Sequence, residues 1–336
     1  MKILRIILVV TVIVLVAALS AASFRMYRYA HNPLNPEIAT VTILVPRGAT
    51  LLHITALLEQ EGLMPHPRAF CFLARLKGAR DRMKAGEYEL AGRATPLDVI
   101  GRMTRGEVKV YRVSVPEGFS MYQVAERFSA EGLADVDVFL RHLHDGELLS
   151  SLGIEGASAE GYLFPDTYHV TRAKDEEAII RFMVRRFREE VSPDLVREAE
   201  TLGLTLNELV TLASIIEKEA GCEDEKSLVS AVFHNRLKKG MRLQSDPTVI
   251  YGVEGFEGRI RKTDLERETP YNTYRIRGLP PGPICNPGAS SILAALNPAP
   301  VDYLYFVSRN DGSHQFSSNL SDHNAAVIKY QIKRQK

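Results

Sequence analysis

The chain opens on an apolar run. From Ile6 to Phe24, 19 residues pass without a charge, most of them Val, Leu, Ile or Ala. A helix of that length crosses the hydrocarbon core of a bilayer. Lys2 and Arg5 precede the run and Arg25 and Arg28 follow it, so the flanking charges give only a slight preference for a cytoplasmic amino terminus. Ala18-Leu-Ser-Ala-Ala22 resembles a signal-peptide cleavage site. The run is longer than a signal peptide's apolar region, so a retained single-pass anchor over 6–24 is expected, with 1–5 in the cytoplasm. No cysteine follows the run, which excludes lipid anchoring. With either reading, the bulk of the chain is expected to be exported.

A Pro/Asn linker (25–40) leads into a strand at Thr42-Ile-Leu-Val45. Val45-Pro-Arg-Gly48 then begins a segment that ends at Glu61-Gly-Leu63, and Val115-Pro-Glu-Gly118 begins one that ends at Glu131-Gly-Leu133. Each copy predicts strand, turn, amphipathic helix and glycine stop, with Thr50 and Ser120 as helix N-caps. Residues 41–110 read as one βααβ unit closed by Gly86-Glu-Tyr-Glu-Leu90. That order loosely resembles a LysM-type module, which implies binding of N-acetylglucosamine polymers. Residues 111–200 predict helices broken at the aromatic run Glu160–Tyr168, followed by a helix over Thr171–Val191.

Thr205-Leu-Asn-Glu208 has the form of a capping box. It opens a helix through Ala220, with Gly221 as its stop. Leu209, Leu212, Ala213, Ile216 and Ala220 form one apolar stripe on it. A second helix, Ser227–Lys239, stops at Gly240. Gly/Pro-rich polar and aromatic segments follow from Met241 to Ser290, and Asn310-Asp-Gly-Ser313 predicts a hairpin turn between strands 303–308 and 314–316. The fold class is therefore α+β: a membrane helix, a βααβ module, then a mixed domain over 111–336, with a helical lead-in to 200 and the site core in 201–330.

Composition changes this picture little. Net charge is +1, from 42 basic and 41 acidic residues, so there is no basic excess of the kind that marks nucleic-acid binding. The three cysteines, Cys71, Cys222 and Cys285, have no metal-type spacing and leave room for one disulfide at most. His142 and His144 diverge on a helix, and HExxH is absent. No metal or cofactor is expected.

The chemistry concentrates on the helix that begins at Thr205. Glu217 and Glu219 flank its stripe about 160° apart and so cannot form a close pair. Glu217 falls beside Val210 and Ala213, where an apolar rim would raise its pKa and suit a general acid that later acts as a base. In the Gly/Pro-rich walls, Gln244, Ser245, Asp246, Asn272 and Asn286 offer hydrogen bonds to sugar hydroxyls and acetamido groups. Tyr251, Tyr271 and Tyr274 offer stacking faces, and His314 could line the site or sit on a surface strand.

The ordered motifs EGYLFPDTY, LASIIEKEA, VFHNRL, GMRLQSDPTVIYG, YNTYRIRGLPPGPICNPG, YLYFV and HQFSSNLSDHN resemble those of the YceG-like endolytic murein transglycosylases (the MltG family), densest from Glu160 to His323. The resemblance implies a lytic transglycosylase. One carboxylic acid, Glu217 by position in IIEKE, protonates the oxygen between N-acetylmuramic acid and N-acetylglucosamine, then helps the muramic 6-hydroxyl close a 1,6-anhydro ring. No second carboxylate is required, whereas ordinary glycosidases use two. Asp246 is the candidate if one exists, and is expected rather to orient the loop or the substrate. Cys285 departs from the small or hydrophobic residue expected there. The resemblance also implies work beside peptidoglycan synthases, with a role in ending strand growth. Two other readings stay open: a non-catalytic glycan-binding scaffold for those synthases, and a muramidase that hydrolyses the same bond.

Overall fold

The computed structural model describes residues 2–253, 258 and 260–332. The basic run Lys329–Lys336 lies partly outside the described residues. The fold is mixed α+β and divides into two compact units, one of residues 1–111 and 169–174, the other of residues 112–168 and 175–336.

The first unit begins with α1 (Lys2–His31), long and apolar enough to cross a membrane. Of its side chains only Ala30 is buried. The run Ile6–Phe24 is exposed along its whole length. Strand β1 (Thr40–Val45) follows, then α2 (Leu51–Gln60), α3 (Pro67–Leu76), β2 (Gly86–Ala91) and α4 (Pro96–Arg105). β1 and β2 pair antiparallel from Thr40↔Ala91 to Val45↔Gly86. Ile43 and Val45 alternate inward with the strand period and meet Ile54, Leu58, Phe70, Tyr88, Val99 and Met103 in one core. Ala30 and Leu34 join that core, which fixes the end of α1 to the unit. Cys71 is buried in it beside the Thr55 hydroxyl.

The chain continues with β3 (Tyr111–Ser114), where the second unit begins at Arg112, then α5 (Met121–Ala130), α6 (Val136–Leu143), α7 (Gly146–Ser151), β4 (Thr167–Val170), whose last two residues belong to the first unit, α8 (Glu176–Glu190) and α9 (Pro193–Thr201). The helix expected from Thr171 starts only at Glu176, because Asp175 caps it by accepting from Ala178 N–H. Next come α10 (Leu206–Glu219), α11 (Lys226–Lys238), α12 (Asp246–Ile250), α13 (Lys262–Glu266), α14 (Ala289–Leu296), the antiparallel hairpin of β5 (Tyr305–Ser308) and β6 (His314–Ser317), and α15 (Leu320–Val327).

Both copies of the repeat have the same local form. Gly48 and Gly118 each sit at φ +74°, and Thr50 and Ser120 cap the helices that follow. The Val-Pro-x-Gly turn needs a residue free to adopt positive φ, which glycine supplies without steric cost.

Two expectations about α10 are corrected. Its capping box forms, with Thr205 and Glu208 bonded reciprocally, but the helix is no one-sided amphipath. Every residue from Leu209 to Ile216 is buried, so α10 is the central helix of its unit, wrapped on all sides. Nor does Gly221 end it through a left-handed turn. The C-cap Ala220 is extended, and a Cβ on Gly221 would lie 2.1 Å from the carbonyl oxygen of Gly312 in the hairpin turn. Glycine is there for close approach of two backbones. Gly221→Ala must push the hairpin away, and a loss of about 1–3 kcal/mol is expected, read as a lowered thermal midpoint. An unchanged midpoint would show that the hairpin yields freely.

Candidate active site

Three carboxyl groups gather around the end of α10 and the loops beside it. The first is Glu217, whose side chain is 10% exposed. One of its oxygens, Oε2, accepts from Gly288 N–H at 3.1 Å, Ser291 Oγ at 2.6 Å and Lys226 Nζ at 3.5 Å. Gly288 is the N-cap of α14 and Ser291 lies in its first turn. The carboxylate therefore occupies the positive end of that helix, where backbone donors lack intrahelical partners. The expected apolar rim is replaced by donors. No protein donor reaches Oε1 among the described residues, so one oxygen is fixed and the other is available.

Lys226 organises this corner. Its buried ammonium also meets Glu223 at 2.6 Å, Ser290 Oγ at 2.7 Å and Glu117 at 3.9 Å. Burial pulls its pKa down, but Glu223, Glu217 and Glu117 together outweigh that and the pKa is raised. Glu117 is brought in by backbone pairing: Gly118 N–H donates to Asn286 O, and Asn286 N–H to Phe119 O. Burial first, and the charge of Glu217 second, raise the Glu117 pKa, with Lys226 opposing.

The second carboxyl is Glu160, 1% exposed. It accepts from Met121 N–H at the start of α5, from Tyr251 OH at 3.0 Å and from Asn286 Nδ2 at 3.1 Å. Burial dominates these hydrogen bonds and pushes its pKa up to about 7. Tyr251 and Tyr271 pack with ring centroids 4.8 Å apart.

The third is Glu219. Ser245 Oγ donates to it at 2.5 Å. Desolvation first, opposed by that hydrogen bond and aided by nearby Asp246, sets its pKa at about 7. Asp246 is exposed and accepts from Tyr274 OH at 2.6 Å. His314 bonds to Glu225 twice, through its backbone N–H at 2.8 Å and its Nδ1 at 2.7 Å.

The predicted site residues thus fall into distinct groups. Ser245, Asp246, Tyr274 and His314 collect around Glu219, while Tyr251, Tyr271 and Asn286 collect around Glu160. Gln244 is exposed and holds φ +52°, an uncommon conformation for a side-chain-bearing residue. Two readings are corrected. Asn272 is buried; its amide donates to the carbonyls of Asp264, Leu265 and Arg267 and accepts from Tyr274 N–H. It holds a loop and has nothing left for a sugar. Asn286 is fully buried, donates to Phe119 O and Glu160, and accepts from Leu163 N–H. It ties three segments together.

Lys226, Ser291, Gly288, Glu117 and Glu160 were not singled out by sequence reasoning. A clue existed for Glu160, an acid opening an otherwise aromatic run. His323 stacks on Tyr305 at 5.1 Å. Cys222 is exposed, Cys285 is buried against Ser214 O, and all three cysteines are free thiols. Among the described residues no cluster of His, Cys, Asp or Glu could hold a metal ion.

Comparison with known proteins gives a consistent result. The sequence model of the YceG-like family matches residues 43–329. The chain is 34% identical over 308 residues to the endolytic murein transglycosylase of Bacillus subtilis strain 168, covering 87% of this chain and 85% of that protein. It is 30% identical over 341 residues to the endolytic murein transglycosylase of Streptococcus pneumoniae serotype 2, covering 90% of this chain and 61% of that protein. The crystal structure of a YceG-like protein from Listeria monocytogenes superimposes with a TM-score of 0.59 at 32% identity, over 85% of this chain and 98% of that one.

Proposed function

The chain belongs to the YceG-like family, and on that premise we propose that it is a membrane-anchored lytic transglycosylase that cuts within peptidoglycan glycan strands, with Glu217 as acid and base. The observation that carries this is the asymmetry of the Glu217 carboxyl group. Oε2 is held by Gly288, Ser291 and Lys226, and Oε1 is left to deliver a proton. A fixed acid oriented toward one bond gains the positional advantage on which general acid catalysis depends.

The steps balance with a single carboxyl group. Oε1 gives its proton to the oxygen between N-acetylmuramic acid and N-acetylglucosamine as the C1–oxygen bond breaks. The muramic 6-hydroxyl attacks C1, its proton returns to Glu217, and a 1,6-anhydro ring closes. No water is consumed. Lys226 and the end of α14 stabilise the carboxylate between the two transfers. Asp246, bonded to Tyr274, orients its loop, and exposed Gln244 is positioned to meet substrate. The βααβ unit of residues 41–110 serves as a LysM-like glycan-binding module, and residues 111–336 as the catalytic domain. Anchored through α1 in the inner membrane, the enzyme works beside peptidoglycan synthases and ends nascent strands.

The test is mass spectrometry of purified glycan strands after incubation with the full chain in detergent. Internal fragments ending in 1,6-anhydromuramic acid are expected. Fragments with reducing ends would replace this reading with a muramidase. Intact strands that still bind the folded chain would replace it with a glycan-binding scaffold.

A further inference from the structure

Outside the three-carboxyl site, an open cavity of about 1070 Å³ lies where the end of α1 meets the first turn of α3. Arg25 and Arg28 of α1, Asn32 just after it, His66 at the N-cap of α3 and Arg68 within α3 supply its polar lining, and no acidic residue lines it. Arg25, Arg28 and Arg68 are exposed, and their side chains make no hydrogen bond or ion pair among the described residues. Three arginines without an ion pair, lining one cavity with no acidic residue beside them, form a cradle for an anion.

Position says which anion. The uncharged run Ile6–Phe24, at 1.5 Å per residue, is about 28 Å long, close to the roughly 30 Å hydrocarbon core. Arg25 then stands at its edge. Arg25 to Asn32 rise about 10 Å further, through the headgroup layer, which adds roughly 5–8 Å on each side. Pro67 and Arg68 also line an adjoining groove with Leu52, Phe72, Arg75 and one acid, Glu59. Leu52, Phe72 and Leu76 are 65%, 56% and 67% exposed. Arg68, Phe72 and Leu76 follow at four-residue spacing on one face of α3, the mixed basic and apolar face of an interfacial helix.

We propose that this cavity binds the phosphate headgroup of an anionic membrane phospholipid, with the exposed face of α3 resting in the interfacial layer. The proposal rests on the reading of α1 as a membrane anchor. It explains why two arginines stand at the outer end of that anchor, where basic residues are disfavoured: a lipid phosphate neutralises them. It also holds the βααβ unit against the bilayer.

The chain has no tryptophan, so Phe72→Trp gives a sole tryptophan reporter on this face, read by excitation that spares tyrosine. The full-length variant in detergent micelles is titrated with phosphatidylglycerol, phosphatidylcholine or inorganic phosphate. A saturable emission change with phosphatidylglycerol, absent with phosphatidylcholine, is expected. Adding Arg25→Gln, Arg28→Gln and Arg68→Gln should weaken it at least about tenfold, with an unchanged circular dichroism spectrum. Equal midpoints for the two lipids, or for parent and triple variant, would overturn the headgroup site. The same change with inorganic phosphate alone would make the site one for a soluble anion and overturn the lipid assignment. Alkaline carbonate extraction tests the anchor separately: release of the chain from membranes would overturn the anchor itself, whereas retention with no response to phosphatidylglycerol would remove only the headgroup proposal.

Discussion

Glu217→Gln is expected to abolish cutting of glycan strands, a loss of roughly 10²–10⁴-fold or more, while the protein stays folded. Glutamine keeps the length of the side chain, and its amide oxygen can still accept from Gly288 N–H and Ser291 Oγ, which hold Oε2 in the parent. Lys226 loses one anionic neighbour but keeps Glu223 at 2.6 Å. What disappears is the proton on the other oxygen. An amide can neither donate it to a leaving group nor take one from the 6-hydroxyl, so both halves of the proposed reaction fail together. The comparison that gives this meaning is Glu117→Gln. Glu117 stands near the same ammonium, at 3.9 Å, with its side chain 48% exposed, and its replacement should cost far less. The assignment is lost if purified Glu217→Gln still releases fragments at a rate near the parent's, and equal damage from both variants would point to a shared electrostatic role.

How much of this was legible in the sequence depends on how far apart the partners lie along the chain. The α10 capping box was legible because Thr205 and Glu208 are three residues apart and bond only to each other's backbone and side chain. The repeated Val-Pro-x-Gly turns and the β5–β6 hairpin are equally local, and each was placed to within a few residues. The α+β class followed from these elements. The roles of Asn272 and Asn286 did not. A polar residue in a Gly/Pro-rich loop looks the same whether it faces a sugar or satisfies buried carbonyls, and Asn286 is tied to residues 119, 160 and 163. The position of Glu217 on its helix was readable, but its environment was not. Its three donors come from residues 226, 288 and 291, and only the folded chain shows that an apparently apolar rim is a helix terminus. Gly221 deceived for the same reason: its constraint comes from Gly312 across the fold.

The second large effect concerns stability against pH. Glu160 is buried and its pKa stands at about 7, against an ordinary value of 4.5. In the folded protein it therefore keeps its proton through a range in which the unfolded chain has already lost it. Between about pH 4.5 and 7 the unfolded state binds fewer protons, so stability falls as pH rises. The contribution is present below 4.5 and is lost by the time pH has passed 7; a shift of this size corresponds to about 3 kcal/mol. Glu219, with its pKa likewise raised to about 7, acts in the same direction, less strongly because the residue is partly exposed. His323 opposes them: burial, then Arg236, lowers its pKa, which costs stability as pH falls below its unfolded value of 6.5. Asp98 and Asp166, with lowered pKa values, matter only in acid, below about 4. Thermal unfolding followed from pH 5 to pH 8 should therefore show a falling midpoint, and Glu160→Gln should flatten the curve, since an amide does not titrate. A midpoint that rises over that range, or a slope unchanged by Glu160→Gln, would mean that Glu160 is already ionised at pH 5. Its hydrogen bonds from Met121, Tyr251 and Asn286 would then outweigh its burial, and the carboxylate would be a fixed negative charge beneath Tyr251 and Tyr271.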